Sequence, residues 1–141
     1  MKLVSVFLAE DNDGDVLLVQ ESFNAKNLPC KLLVAEDGEM ALRSIESFGN
    51  GEPCPDIMLI DLNLPKVDGA ELLQRIRANE NCSNIPVLVV SSSKSPKDHS
   101  MVAAFGARYF RKPSELDEYM LLADVVMEMV GLGGAGPSTT V

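Results

Sequence analysis

Residues 57–69 read IMLIDLNLPKVDG, and this stretch decides the fold. Its first four residues are apolar, which is typical of a β-strand that is buried on both faces of a sheet. The run ends on one carboxylate, Asp61, and the following Pro65 and Asp68-Gly69 predict turns before the next helix. Such a strand places Asp61 at the carboxyl edge of a sheet, where open α/β sheets bind ligands.

Strands and helices are predicted to alternate on both sides of this stretch. The strands are predicted at Val4–Ala9, Lys31–Ala35, Ile57–Asp61, Pro86–Val90 and Tyr109–Phe110. The helices are predicted to run to about Ala25, over Gly38–Phe48, over Ala70–Ala78, from an N-cap at Ser95 to near Gly106, and from a cap at Ser114 to about Val130. Five such βα units predict a doubly wound, five-stranded parallel sheet with helices on both faces.

The totals limit the classes of function. The chain has 141 residues and a net charge of −9, which argues against a non-specific grip on nucleic acid or on an anionic membrane. No aliphatic run approaches the roughly 18 residues of a membrane span. The apolar start of the chain leads straight into Glu10-Asp11 without a small-residue cleavage site, so we interpret it as a strand rather than a signal peptide. We expect a cytoplasmic protein.

Cysteine usage supports the same expectation. The three cysteines, Cys30, Cys54 and Cys82, form no CxxC pair and their number is odd, and the chain has one histidine. This pattern argues for a reducing compartment and against a zinc site.

Polar side chains follow several of the predicted strands. If strands one, three and five are neighbours, then Glu10, Asp11, Asp61 and Lys112 converge, and strand four adds the hydroxyl of Ser91. Converging carboxylates repel one another unless a cation is present, and all-oxygen ligands select a hard ion such as Mg²⁺. Lys112 and Ser91 suit anionic oxygens. The set predicts phosphoryl transfer onto an aspartate.

The order and spacing of these residues resemble the response regulator receiver domain of two-component signalling, over roughly residues 3 to 130. The match consists of Glu10-Asp11, residues 61–69, Ser91, and Tyr109 three residues before Lys112-Pro113. The resemblance implies the CheY-like, flavodoxin-like strand order 2-1-3-4-5. It also implies a phosphoacceptor that assists its own phosphorylation and dephosphorylation, rather than an ordinary enzyme.

The resemblance implies a role for each matched residue. Asp61 would be the phosphoacceptor, Asp11 would bind Mg²⁺ directly, Glu10 would act nearby or through water, and the backbone carbonyl of Asn63 would complete the ligands. Two residues, Ser91 and Lys112, would hold the phosphoryl oxygens. Tyr109 would be an aromatic switch that follows Ser91, and the bond before Pro113 would commonly be cis.

Other residues have simpler interpretations. Asp13 and Asp15 are interpreted as helix-start acids, and His99 as a solvated surface residue. Residues 11–15 superficially suggest an EF-hand, but its sixth position is Val16 and its twelfth is Ser22. A phosphatase with an aspartyl-phosphate intermediate would need a cap domain, for which the length leaves no room. A receiver-like binding module that is never phosphorylated remains the alternative.

The receiver is expected to occupy residues 1–130, followed by a flexible tail at 131–141. We therefore expect output through the domain's own surface, to a downstream protein that the sequence does not identify. Residues 91–96 and 112–116 look like those of single-domain receivers that partner phytochrome-type sensor histidine kinases.

The last helix is apolar around much of its circumference. One stripe, expected to pack on the sheet, contains Leu116, Met120, Ala123, Met127 and Val130. A second set contains Leu121, Leu122, Val125, Val126 and Met129. Because large exposed apolar patches mark interaction sites, we predict a homodimer through Leu121, Val125 and Met129.

Overall fold

The computed structural model describes residues 3–82 and 84–132. Its strands are β1 (Val4–Ala9), β2 (Cys30–Ala35), β3 (Ile57–Asp61), β4 (Val87–Ser91) and β5 (Arg108–Arg111). Its helices are α1 (Asp13–Ala25), α2 (Gly38–Ser47), α3 (Gly69–Ala78), α4 (Pro96–Ala104) and α5 (Leu116–Met129). Every predicted element is present, and the bounds differ by only one or two residues.

The five strands form one parallel sheet in the order β2-β1-β3-β4-β5. The doubly wound fold and the strand order are therefore confirmed. The central strands β3 and β4 are buried at every residue, whereas the edge strands β2 and β5 alternate or are partly exposed. This difference explains why the continuous apolar runs of the sequence belong to the middle of the sheet.

Successive strand residues point to opposite faces, and each face has its own core. On one face, strand residues such as Met58 and Ile60 pack with side chains of α2, α3 and α4. On the other face, Ile57 and Leu59 pack with side chains of α1 and α5. The sheet is thus covered on both sides, and its carboxyl edge is the place where polar strand ends meet.

Short polar side chains fix where the helices begin. Asn12 caps α1 by accepting from the backbone N–H of Asp15, and Asp68 caps α3 by accepting from that of Ala70. A side chain at Gly69 would meet the Leu62 side chain at 2.7 Å, so a glycine is needed where the chain turns back past β3. The Asp68-Gly69 pair is structural, as predicted.

The last helix differs from the prediction in two respects. Its N-cap is Glu115 rather than Ser114, and Glu115 forms a reciprocal capping box with Glu118. The side chains that pack on the sheet are Tyr119, Leu122, Ala123 and Val126. The predicted packing stripe is right in part. Ala123 is buried, and Met127 and Val130 are half-buried and pack against the same core, whereas Leu116 is exposed and Met120 is half-buried. The helix is apolar on several sides, so its sequence does not define one phase.

Cys54 and Cys82 form a disulfide, with their Cα atoms 5.9 Å apart. The bond joins the segment before β3 to the segment after α3, at the edge of the sheet opposite Asp61. The odd number of cysteines does not indicate this pairing. The disulfide therefore weighs against the reducing compartment that we inferred from cysteine usage.

Three further expectations concern the carboxyl-terminal half of the chain and the membrane. None of the peptide bonds that the structure describes is cis, so the Lys112-Pro113 bond is trans, contrary to the expectation. The predicted tail at 131–141 lies outside the described residues from residue 133 onward. Over the described part of the chain, no helix has the length and apolar character that crossing a membrane requires.

Candidate functional site

Three carboxylates meet at the carboxyl edge of the sheet. Glu10 and Asp11 follow β1, Asp61 ends β3, and each offers an oxygen within 4.8 Å of the other two. Glu10 and Asp61 are buried, at 5% and 3% exposure, while Asp11 is exposed. The acid cluster therefore has one open side, toward solvent, and the structure confirms that these three predicted residues come together.

Lys112, directly after β5, lies beside this acid cluster. Its Nζ atom is 2.8 Å from Asp61 Oδ2, 3.1 Å from Glu10 Oε1 and 3.2 Å from Asp15 Oδ2. Burial lowers the pKa of Lys112, but hydrogen bonds and charge attraction from Asp61 and Glu10 outweigh it and raise the pKa above its usual value. Lys112 is therefore a permanent positive charge at neutral pH.

Glu10 shows the cost of gathering acids in a partly dry site. Burial raises the pKa of Glu10 above its usual value, and the nearby charge of Asp61 raises it further. Hydrogen bonds from Lys112 and from the backbone N–H of Asn12 lower it, without cancelling the rise. A single ammonium thus does not fully offset burial together with the neighbouring carboxylate.

The donor set fits a hard divalent cation. Carboxylate oxygens without histidine or cysteine suit Mg²⁺ and its relatives, and the strained charge balance at Glu10 would be relieved by such an ion. Glu10, Asp11 and Asp61 are the residues that would hold it. Asn63 lies two residues after Asp61, and its backbone N–H donates to Asp61 Oδ1 at 2.8 Å. That bond keeps the chain after β3 folded back over the Asp61 carboxylate.

Ser91 ends β4 with its side chain completely buried. Its hydroxyl oxygen accepts a hydrogen bond from the backbone N–H of Ser93 at 3.0 Å. Its carbonyl accepts from the backbone N–H of Lys112 at 2.9 Å, which ties the end of β4 to the lysine. Ser91 Oγ keeps its proton available for an acceptor that arrives at the edge of the sheet.

Tyr109 on β5 is half-buried and packs against the loop after β4. Its hydroxyl donates to the carbonyl oxygens of Ser91, at 3.1 Å, and of Ser93. The imidazole of His99 stacks on the phenol ring, with centroids 3.8 Å apart. Tyr109 is therefore held by the same loop that follows Ser91, the arrangement that a switch between these two residues requires.

Sequence reasoning missed two contacts. It interpreted Asp15 as a helix-start acid, but this side chain is ion-paired with Lys112. The sequence carries no signal for this contact, because Asp11 precedes the Asn12 cap and helical spacing does not relate it to Asp15. His99 is exposed as predicted, yet it covers Tyr109, and no sequence pattern indicates that contact.

The fold and the acid cluster together define a doubly wound α/β domain with an acidic, lysine-containing pocket at its carboxyl edge. Residues 6–124 match the response regulator receiver domain family. The chain belongs to that family.

Individual members of this family are also similar to the chain. Over 95 residues the chain is 37% identical to response regulator Rcp1 of Synechocystis sp., covering 66% of this chain and 65% of Rcp1, slightly less than two thirds of that relative. Among solved structures, the phosphorylated cyanobacterial phytochrome response regulator RcpA aligns with a TM-score of 0.83 and 29% identity, over 97% of this chain and all of RcpA. The Mn²⁺-bound form of Rcp1 aligns with a TM-score of 0.80 and 28% identity, over 96% and 99% of the two chains.

Proposed function

We propose that this protein is a two-component response regulator that accepts a phosphoryl group on Asp61 from the phosphohistidine of a sensor histidine kinase. The observation that carries the proposal is the contact between the buried Asp61 carboxylate and Lys112 within the acid cluster. An isolated strand-end aspartate would not need a half-buried lysine and two further acids around it.

In the proposed reaction, an Asp61 oxygen attacks phosphorus while the bond between phosphorus and the kinase imidazole breaks. The electron pair of that bond stays on the imidazole, and the new oxygen–phosphorus bond makes an acyl phosphate. Lys112 and Ser91 would stabilise the phosphoryl oxygens, the lysine by its charge and the serine by its hydroxyl. Tyr109 would then follow Ser91 and change the surface of α4, β5 and α5.

The proposed cofactor is Mg²⁺, held by Glu10, Asp11, Asp61 and the backbone carbonyl of Asn63. When bound, it would neutralise negative charge between the attacking carboxylate and the phosphoryl group. Support comes from the all-oxygen donor set and from the solved Mn²⁺-bound form of a similar regulator.

The proposed partner is a sensor histidine kinase of the phytochrome type. Its support is the likeness to RcpA, whose structure is described as that of a phytochrome response regulator. We place this phosphotransfer in the cytoplasm, although a disulfide such as Cys54–Cys82 is unusual in a reducing compartment. We also propose that the protein acts as a homodimer through α5.

Acetyl phosphate with Mg²⁺, followed by intact-mass measurement, tests the function. The wild-type protein should gain one labile phosphoryl group, and Asp61→Asn should gain none while remaining folded, since Asn keeps the acceptor for the Asn63 N–H. Asp68→Asn is the matched control, because Asn caps α3 as well as Asp does. A wild-type protein that gains nothing would support the binding-only alternative, and continuous turnover of the donor would indicate a phosphatase.

A further inference from the structure

Lys112 has a third acidic partner that lies outside the acid cluster. Asp15, in the first turn of α1, places Oδ2 at 3.2 Å from Lys112 Nζ, and its side chain is only 27% exposed. Asp61 and Glu10 accept hydrogen bonds from Lys112 Nζ, and Asp15 adds an ion pair, so three carboxylates surround the ammonium group. The direction in which Lys112 points is therefore fixed from three sides.

We propose that Asp15 is a positioning residue that keeps Lys112 beside Asp61 during phosphoryl transfer. The inference rests on the proposed function, which it deepens by assigning a role to a residue outside the matched motif.

The three partners of Lys112 differ in what the reaction does to them. Asp61 loses its charge when its oxygen bonds to phosphorus, so its attraction for the ammonium falls. Glu10 belongs to the acid cluster and shares its charge with whatever cation is bound there. Asp15 takes no part in either event. Of the contacts that the structure describes for Lys112 Nζ, the one to Asp15 is therefore the one that can persist from the free to the phosphorylated state.

Tyr119 of α5 is the neutral neighbour of this group of charges. It is 2% exposed, and it lines a cavity of about 10 Å³ together with Glu10, Asp61 and Lys112, so it borders the site directly. A space of that size admits no more than one water, so solvent screens these charges little.

Burial raises the pKa of Tyr119 well above its usual value, and the negative charge of Asp15 raises it further. Tyr119 therefore stays neutral at neutral pH and adds no further negative charge beside Lys112. The ion pair between Asp15 and Lys112 connects α1 with the phosphoacceptor.

The test compares Asp15→Asn with Asp13→Asn. Both variants remove one charge from the first turn of α1, and Asp13 is exposed. With acetyl phosphate and Mg²⁺, Asp15→Asn should lower the maximal phosphorylation rate about tenfold, because Lys112 loses one of the three carboxylates that hold it. The half-saturating donor concentration should be unchanged. Asp13→Asn should match the wild type. In a Lys112→Ala background, Asp15→Asn should have no further effect, because Asp15 acts through the lysine.

A second measurement needs no phosphodonor or metal. In EDTA, urea unfolding of Asp15→Asn, Lys112→Ala and the double variant should give non-additive losses. Additive losses would overturn this inference alone. So would a maximal phosphorylation rate of Asp15→Asn equal to that of the wild type, when the wild type does take up a phosphoryl group. A wild type that takes up no phosphoryl group would instead contradict the proposed function, and additive losses in EDTA would still overturn the positioning role.

Discussion

At the scale of single residues, the site shows how one buried hydroxyl can report a change at a carboxylate. Ser91 Oγ accepts from the backbone N–H of Ser93, and the carbonyls of both serines accept from Tyr109. If the hydroxyl turns toward a phosphoryl oxygen, the loop that holds Tyr109 must adjust. A ligand shifts such an equilibrium only by its different affinity for the two states, and the Ser91 bond provides that difference.

We therefore expect Ser91→Ala to accept a phosphoryl group more slowly but to transmit less of the change to Tyr109. The measurement is the shift of the ¹³C-labelled Tyr109 ring resonances on phosphorylation, assigned with Tyr109→Phe. Ser92→Ala, an exposed neighbour, is the control and should show the full wild-type shift. A full shift in phosphorylated Ser91→Ala would place the switch elsewhere.

The sequence predicted the residues of the site more completely than it predicted the side chains that contact them. Strand ends identified Glu10, Asp61 and Ser91, because parallel strands bring their carboxyl ends to one edge. Asp15 was missed because an acid in a first helical turn has an ordinary explanation in the helix dipole. Only the three-dimensional path of Lys112 shows that this acid has a second contact.

At the scale of elements, α5 is the helix whose packing the sequence predicted least well. Its apolar residues surround the axis, so several stripes satisfy helical spacing, and Tyr119 was not counted among the apolar positions. The buried side chain of Tyr119 and the capping box at Glu115 fix the phase instead. The capping box and Tyr119 therefore determine which side of α5 faces the sheet, which the hydrophobic pattern does not determine.

The cap of α5 leads to a prediction about pH. Glu118 accepts hydrogen bonds from the backbone N–H and hydroxyl of Ser114 and from the backbone N–H of Glu115, and the Ser114 bonds hold its pKa below the usual value. The unfolded chain therefore binds more protons between the two pKa values. The contribution is complete above the ordinary glutamate pKa of about 4.3 and is lost as pH falls through the lowered one.

We expect Glu118→Gln to remove this acid-sensitive part of the unfolding free energy. Urea unfolding at pH values from neutral down to acid should show a smaller loss of stability in the variant than in the wild type. Glu21→Gln, which changes an exposed glutamate of α1, is the control and should keep the wild-type pH dependence. Equal slopes for Glu118→Gln and wild type would contradict the role of the cap.

At the scale of the whole molecule, the two edges of the sheet carry different constraints. The acid cluster lies at the carboxyl ends of the strands. The Cys54–Cys82 disulfide joins residues 28 positions apart in sequence at the amino ends of the strands. Restricting a loop of that length in the unfolded chain stabilises the native state by about 3.5 kcal/mol. The sequence could not indicate this bond, because it arises from the tertiary approach of two loops.

Reduction should therefore lower the free energy of unfolding by about 3.5 kcal/mol and leave phosphorylation of Asp61 unchanged. Urea unfolding with and without dithiothreitol measures the first, and intact mass after thiol alkylation confirms the redox state. Cys82→Ser should lose the dependence on reductant, whereas Cys30→Ser should retain it, since Cys30 is not in the disulfide. A wild-type protein of equal stability in both conditions would contradict the stabilising role.

The predicted homodimer also belongs to this scale, and the structure indicates which side chain to test. Leu121 is 58% exposed on α5 and Leu116 is 43% exposed, whereas Val125 and Met129 are half-buried against the core on the α1–α5 face. A charge at Val125 would disturb that core as well as an interface. Leu121→Glu is therefore the cleaner test of whether this apolar surface covers a second copy.

We expect the wild-type protein to form a dimer that phosphorylation strengthens through Tyr109, and Leu121→Glu to be monomeric because a carboxylate would have to be buried at the interface. Light scattering with and without acetyl phosphate and Mg²⁺ measures both states. The matched control is Leu33→Glu, which is 45% exposed on β2, the edge strand opposite β5, and should associate as the wild type does. A wild type that stays monomeric in both states at high concentration would exclude the dimer. A dimeric Leu121→Glu would move the interface away from α5.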